Sequence, residues 1–301
     1  IELINKIAAE MNKVARVAIR VNPDVDAKTH PYISTGLSSN KFGVDSKTAL
    51  SIYKRRKDFP HIQFTGIDMH IGSQITSIDP FVEAVQKLSE LYFEIEKDGL
   101  KLKHFDVGGG MGVSYNDGSP FSINEFAERI IPLFKKLNCE IIFEPGRFLT
   151  ANGGILVTEV LYNKRNGNKN FIVVDAAMND LLRPSIYQAY HHIQPIQIFK
   201  DRNDMIADIV GPICETGDYF ARDREITESK PDELLAVMSV GAYGMVMSFN
   251  YNGRRRAPEV LVDGNKYSII RSRETFDHLI YDEKIVWTNL MFSPIVKERN
   301  S

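Results

Sequence analysis

The sequence has 301 residues, 25% of them charged, and a formal net charge of −2. This balance gives no long-range attraction to nucleic acid or to anionic membranes. Two cysteines, Cys139 and Cys214, exclude a disulfide framework and a paired-cysteine metal site. No apolar stretch approaches the roughly 18 residues that a membrane-spanning helix needs. We therefore expect a cytoplasmic protein of one large or two moderate domains, with no metal, nucleic-acid or membrane partner.

The first half of the chain alternates between strand and helix patterns. The strand patterns cover residues 16–21, 64–69, 104–107 and 140–143. The helix patterns cover residues 45–59, a segment opening at Asp79-Pro80 as N-cap and first residue, and a segment opening with a capping box at 122–125. Such alternation predicts a parallel sheet with right-handed crossovers. Four units are too few to close a barrel, and Ile1 stands inside an amphipathic pattern, so we expect the front of the barrel to be missing.

From about residue 151 the pattern changes to short strand-like runs separated by Gly, Asn, Asp and Pro. These runs cover residues 154–162, 170–176, 208–210, 233–240 and 259–262. They predict a mostly β second domain. The expected division is residues 1–150 and residues 151–301.

In the first half, polar residues and glycines follow the strand patterns. His70 and Ser73 follow the second, Gly108–Gly110 the third, and Glu144 with Arg147 the fourth. Both (β/α)₈ barrels and open doubly wound sheets build sites at these strand ends, so the pattern leaves both folds open. The glycines suit either phosphate binding or a tight turn, and the Glu–Arg spacing suits either ligand binding or a structural ion pair.

The second half carries weaker candidates. Arg183 and Tyr187, four residues apart, could jointly hold a carboxylate, or Arg183 could be an ordinary surface residue. Cys214 lies in a turn-rich segment where it could react or simply be a small buried residue. Cys139 precedes an apolar run and is predicted to lie in the core. The basic run 254–256 indicates a solvated turn.

The order of these motifs resembles that of the diaminopimelate decarboxylases, which are fold-type III pyridoxal-phosphate enzymes. The matching segments are 34–36, 40–43, 70–74, 108–110, 144–147, 183–187, 214–218, 241–244, 251–252 and 259–262. The resemblance implies an α/β plus β fold: the C-terminal half of a (β/α)₈ TIM-type barrel, then a mostly β C-terminal domain. It also implies pyridoxal 5′-phosphate as the cofactor.

The resemblance further implies roles for individual residues. His70 would stack on the pyridine ring as a catalytic and cofactor-binding residue, and Glu144 would keep the ring nitrogen protonated. The phosphate would be surrounded by Ser73, Gly108, Gly109, Gly110, Gly146 and Arg147. The amino-acid substrate would be held by Arg147, Arg183, Tyr187, Glu215 and Tyr243, and Tyr243 would also contact the cofactor.

The implied reaction converts meso-2,6-diaminopimelate to L-lysine and CO₂, the last step of lysine biosynthesis. Cys214 would protonate the carbanion that remains after CO₂ departs. Cys214 and Glu215 would reach the site from the partner subunit, which implies a homodimer with shared active sites.

The family's cofactor-anchoring lysine lies in a Y-A-x-K-A-N-like strand, and no such segment occurs in this sequence. We therefore expect these 301 residues alone to be inactive and the complete protein to be active. The alternatives are a related ornithine, arginine or carboxynorspermidine decarboxylase, and a non-catalytic homologue. Glu215, together with Arg183 and Tyr187, favours a substrate whose far end carries both an amine and a carboxylate.

Overall fold

The computed structural model describes residues 1–27, 41–116 and 120–284. Most of the segments 34–36 and 40–43, which contributed to the family resemblance, lies outside these residues. The chain groups into two compact units, Ile1–Met247 and Ser248–Ser301. The predicted domain division at residue 150 stays a prediction.

A four-stranded parallel sheet forms the first part of the larger unit. Its elements are α1 (Glu2–Glu10), β1 (Ala15–Arg20), α2 (Ser46–Lys54), β2 (Ile62–Asp68), α3 (Asp79–Lys97), β3 (His104–Asp106), α4 (Ile123–Phe134) and β4 (Glu140–Ile142). The strands pair in the order β1-β2-β3-β4, each parallel to the next. The predicted alternation is therefore confirmed. Because the strands are parallel, the residues that follow each of them meet at one edge of the sheet.

Helix α3 covers the sheet with the apolar face that its 3.6-residue period predicts. Phe81, Val85, Leu88, Tyr92 and Ile95 are all buried. They join a core that also contains the buried faces of β1–β3. This packing holds in place the C-terminal ends of the strands, where the polar loops begin.

Two predicted helix starts need correction. Asp79 is not the N-cap of α3: Ile78 takes that position, and Asp79 lies in the first turn, where its carboxylate accepts from Arg129 at 2.7 Å. The capping box of α4 is only half formed in the described residues. The Ser122 hydroxyl accepts from the Glu125 N–H at 3.1 Å, but no bond returns from the Glu125 side chain.

The other differences concern helix faces and ends. α2 ends at Lys54 and is followed by a 3₁₀ turn, Arg56–Asp58, so the predicted helix to residue 59 was too long. In α4, Ile130 is buried but Ile131 is 55% exposed, because one residue further along the helix the direction of the side chain has rotated by about 100°. In α1, Ala8 is buried whereas its leucine and isoleucines are largely exposed.

A six-stranded mixed sheet forms the rest of the larger unit. Its strands are β5 (Leu156–Asn166), β6 (Lys169–Val174), β7 (Ile193–Pro195), β8 (Asp204–Val210), β9 (Tyr219–Thr227) and β10 (Leu234–Val237), with the short helices α5 (Gly146–Thr150) and α6 (Arg183–Tyr187). The order is β7-β10-β5-β6-β8-β9, and only β6 and β8 pair in parallel. The β-rich prediction is confirmed. Strand β9 was missed because the charged run 222–225 and a positive φ at Asp223 break its alternation.

The smaller unit contains an antiparallel hairpin, β11 (Glu259–Asp263) with β12 (Lys266–Arg271), and helix α7 (Phe276–Ile280). Glu274 organises its loops, because its carboxylate accepts from Asn250 at 2.6 Å and from Arg256 Nε at 2.8 Å. In the part of the chain that the structure describes, no helix is both long and apolar enough to cross a membrane.

Tyr53 on α2 supports an irregularity in the sheet, and we expect its hydroxyl to matter for stability. The register of β1 against β2 shifts between Val17 and Ala18. The buried Tyr53 hydroxyl accepts from Ile19 N–H at 3.3 Å and donates to the Gly66 carbonyl at 2.7 Å. Tyr53→Phe should lower the free energy of unfolding by about 1–3 kcal/mol, because a buried donor loses its acceptor.

Chemical denaturation of the complete protein measures this loss. Tyr162→Phe is the control, because Tyr162 is 52% exposed. Equal stabilities of the two variants would contradict the assignment.

Candidate active site

The loop after β2 presents a neutral imidazole to the sheet edge. His70 Nδ1 accepts from the Gly109 N–H at 3.0 Å, so this ring nitrogen carries a lone pair. Burial, and secondarily the charge of Arg20, lowers the pKa of His70 to about 4. His70 is therefore an uncharged flat ring at physiological pH.

Three glycines after β3 let the neighbouring strand ends come together. Gly108 and Gly110 have positive φ values of 72° and 99°. A Cβ at Gly108 would collide with the Met69 carbonyl oxygen, and one at Gly109 with the Glu144 carbonyl oxygen. The interpretation of this segment as a tight turn that requires glycine therefore holds. It does not exclude the binding of a ligand by the same segment.

Several glycine N–H groups near the strand ends already donate hydrogen bonds to acceptors within the chain. Gly108 N–H donates to Asp106 Oδ1 at 2.9 Å, and Gly146 N–H donates to the Glu144 carbonyl at 2.8 Å. Gly109 N–H is engaged with His70, as described above. Side-chain donors are consequently the stronger candidates for holding an anion here.

Carboxylates collect where β2, β3 and β4 end. Asp68 closes β2, Asp106 closes β3, and the exposed Glu144 follows β4. Burial, together with the charges of Asp106 and Glu144, raises the pKa of Asp68 to about 7, although Arg20 opposes this shift. Among the described residues, Asp68 Oδ1 is buried without a hydrogen-bond partner. This side of the site favours a cationic group.

Arg147 on α5 marks the opposite electrostatic side. Its buried guanidinium donates to the Ser73 hydroxyl at 2.9 Å and to the Tyr115 hydroxyl at 2.6 Å. The Tyr243 ring lies 4.7 Å from the guanidinium carbon. Tyr243 has a positive φ of 62°, a backbone conformation that tyrosine rarely adopts. The alternative of a structural Glu144–Arg147 ion pair does not hold: among the described residues these two side chains form no ion pair, and Glu144 is exposed.

Arg183 on α6 reaches the same tyrosine from the mixed-sheet part of the larger unit. Its guanidinium carbon lies 4.5 Å from the centre of the Tyr115 ring. Arg183 Nη1 donates to His191 Nε2 at 2.8 Å, and both side chains are buried. The interpretation of Arg183 as a surface residue was therefore wrong. Tyr187 lies half-buried at the other end of α6.

The two arginines have no acidic partner within residues 1–27, 41–116 and 120–284. Their contacts there are to hydroxyls, to aromatic rings and to neutral His191. Burial lowers the pKa of Arg183, and the positive charge of Arg147 lowers it further. Leaving a buried charge unpaired costs about 3–5 kcal/mol. This region is therefore built to bind anions.

The Cys214 loop is held by Asp218 at its far end. The buried Asp218 carboxylate accepts from Met178 N–H and Ile213 N–H, both at 2.7 Å. Cys214 itself is exposed, so the interpretation as a small buried residue was wrong. In the described structure no contact joins Cys214 or Glu215 to the residues around Tyr115. Cys139 was predicted to lie in the core. It is half-buried and packs against the core of the parallel-sheet part.

Sequence patterns missed Tyr115, His191, Asp68 and Arg20. Tyr115 lies in a loop with no strand end or motif to mark it, and His191 is one of two adjacent histidines with no charged neighbour in sequence. Asp68 and Arg20 are the last residues of their strands, which is the one signal that could have identified them.

Comparison with known proteins gives the family. A sequence model of the pyridoxal-dependent decarboxylases, for their pyridoxal-binding domain, matches residues 1–151. The diaminopimelate decarboxylase of Aquifex aeolicus is 49% identical over 282 residues, which are 93% of this chain and 67% of that protein. The chain belongs to the diaminopimelate decarboxylase family. The Haemophilus influenzae member is 48% identical over 92% of this chain and 66% of its own length.

Solved structures agree with this assignment. The Helicobacter pylori diaminopimelate decarboxylase, crystallised with L-lysine, has a TM-score of 0.89 at 41% identity. The match covers 93% of this chain and 70% of that one, so the barrel-plus-β fold of the family is confirmed. The chain spans about two thirds of the length of its curated relatives. Pyridoxal phosphate is the cofactor of the family.

We expect Gly109→Ala to damage the site of this diaminopimelate decarboxylase family member. The added Cβ would meet the Glu144 carbonyl oxygen and force the ends of β3 and β4 apart. The complete protein should lose several degrees of Tm and at least tenfold in affinity for pyridoxal phosphate. Gly153→Ala is the control, since nothing lies within 4 Å of its new Cβ. Unchanged cofactor affinity in Gly109→Ala would contradict the packing role.

Proposed function

We propose that the complete protein decarboxylates meso-2,6-diaminopimelate to L-lysine, with Arg147 at the cofactor phosphate and Arg183 at the far carboxylate of the substrate. The observation that carries this proposal is the pair of buried arginines on either side of Tyr115. A phosphate and a carboxylate together supply the negative charge that these side chains lack.

The residues fit pyridoxal phosphate. Arg147 and Ser73 offer side-chain donors to a phosphate, and neutral His70 offers a flat face to a pyridine ring. The carboxylate side of the site, with Glu144 and Asp68, suits a protonated ring nitrogen. When bound, pyridoxal phosphate supplies an electron sink for the pair of electrons left by CO₂.

The protein residues orient the substrate and supply a proton. Arg183 and Tyr187, with Glu215, would hold the end of the substrate that becomes the amino-acid end of L-lysine. Arg147 and Tyr243 would border the reacting end. This grip selects which of the two carboxylates leaves, because the far one is neutralised by Arg183 and does not reach the ring.

Cys214 would donate the proton that replaces CO₂. Its exposure supports donation into the site of a second subunit. We therefore propose a homodimer in which Cys214 and Glu215 of each subunit complete the site of the other.

The 301-residue chain alone is proposed to be inactive. It contains no Y-A-x-K-A-N-like segment to anchor the cofactor. The cytoplasmic location expected from the composition stays a prediction.

Product analysis tests the proposed activity. The complete protein, loaded with pyridoxal phosphate, should release CO₂ from meso-diaminopimelate and form L-lysine in equal amount. The 301-residue polypeptide should release none. Faster CO₂ release from ornithine, arginine or carboxynorspermidine would replace the proposed substrate. No release from any of the four would favour the non-catalytic homologue.

We expect Cys214→Ala to lower kcat on meso-diaminopimelate by about 10²–10⁴-fold, because a positioned proton donor contributes that much. KM should change little, since the thiol does not hold the substrate. Cys139→Ala is the matched control: that cysteine is half-buried in the core, away from the site. Steady-state kinetics of the two variants gives the comparison. A full kcat in Cys214→Ala would exclude the thiol as the donor.

A further inference from the structure

We infer that His191 is a positioning residue that sets Arg183 for the far carboxylate of the substrate, an inference that rests on the proposed function. His191 is fully buried in the mixed-sheet part of the fold. It is assigned no role by the sequence motifs. Both of its ring nitrogens form hydrogen bonds.

The partners of the ring determine its tautomer. Arg183 Nη1 only donates, so His191 Nε2, at 2.8 Å, accepts. The Met238 carbonyl only accepts, so His191 Nδ1, also at 2.8 Å, donates. His191 therefore carries its proton on Nδ1 and links the Arg183 guanidinium to the backbone beyond β10.

The surroundings keep this ring neutral. Arg183, Arg147 and Arg224 all raise the cost of a positive charge on it, and Arg224 Nη1 also donates to the His191 carbonyl at 2.8 Å. The Tyr115 ring meets the imidazole edge-on, with ring centres 5.1 Å apart. Burial is the largest contribution, and with these charges it lowers the pKa of His191 to about 4. A protonated ring would have no lone pair for Arg183.

Arg183 needs such a support. It starts a helix of only five residues, and its buried side chain has no acidic partner among the described residues. A guanidinium has five N–H donors. His191 accepts from one of these donors, and the Tyr115 ring packs against the guanidinium. Together they fix the plane of the guanidinium, and its remaining donors are left for a carboxylate. A fixed guanidinium loses less freedom when the carboxylate binds.

The decisive measurement compares two ligands that differ only in this carboxylate. L-lysine has it, and cadaverine is the same chain without it. Calorimetric titration of the complete protein, loaded with pyridoxal phosphate, gives both affinities. His191→Phe keeps an aromatic ring but removes the acceptor, so it should weaken L-lysine binding by about 10–100-fold, as loss of a supporting hydrogen bond to a binding residue does. Cadaverine binding should stay within twofold.

Two further variants sharpen the result. His191→Gln retains one donor and one acceptor and should recover most of the L-lysine affinity. His192→Phe changes the adjacent, exposed histidine and should leave both affinities unchanged. In kinetics, His191→Phe should raise KM for meso-diaminopimelate much more than it lowers kcat.

Equal losses for L-lysine and cadaverine, or no loss for either, would overturn the positioning role. If His191→Phe does not fold, nitrogen-15 NMR of the wild-type protein still decides. A ring protonated on Nε2, or on both nitrogens at neutral pH, contradicts the contact with Arg183. A wild-type protein that does not prefer L-lysine to cadaverine would refute the proposed function instead.

Discussion

The contact on which this site depends is Tyr115 between two buried arginines. Its hydroxyl accepts from Arg147, which belongs to the parallel-sheet side, and its ring faces Arg183, which belongs to the mixed-sheet side. Two like charges would otherwise repel across a low-dielectric interior. An aromatic ring offers each of them a favourable partner without a negative charge. The arginines are thus kept together and still available to anions.

The electrostatics of the site follow from the sheet topology. Parallel strands deliver Asp68, Asp106 and Glu144 to one edge, where burial first and then the charges of Asp106 and Glu144 raise the pKa of Asp68. Arg147 lies on the helix that connects the two sheets, and Arg183 lies on a helix between two strands of the mixed sheet. A ligand with a cationic ring at one end and anionic groups elsewhere matches this separation of charge, and pyridoxal phosphate with an amino acid is such a ligand.

Much of the fold could be predicted from the sequence because period and turn chemistry are local. The apolar face of α3 and the alternation of parallel strands with helices are examples. The residues at strand ends, such as His70 and Glu144, were identified for the same reason. Tyr115 and His191 were not, because Tyr115 contacts Arg147, 32 positions away, and His191, 76 positions away. Strand β9 was missed because its pairing with β8 overrides a charged sequence.

The site has two parts that differ in how well they tolerate amino-acid substitutions. At Gly108 and Gly109 any side chain would strike a neighbouring carbonyl, so the strand-end part of the site admits few substitutions. The Tyr115 and His191 end rests on side-chain contacts, and these can be exchanged without moving the backbone. A lineage that acquires a new amino-acid substrate would therefore keep the glycines and vary the groups around Arg183.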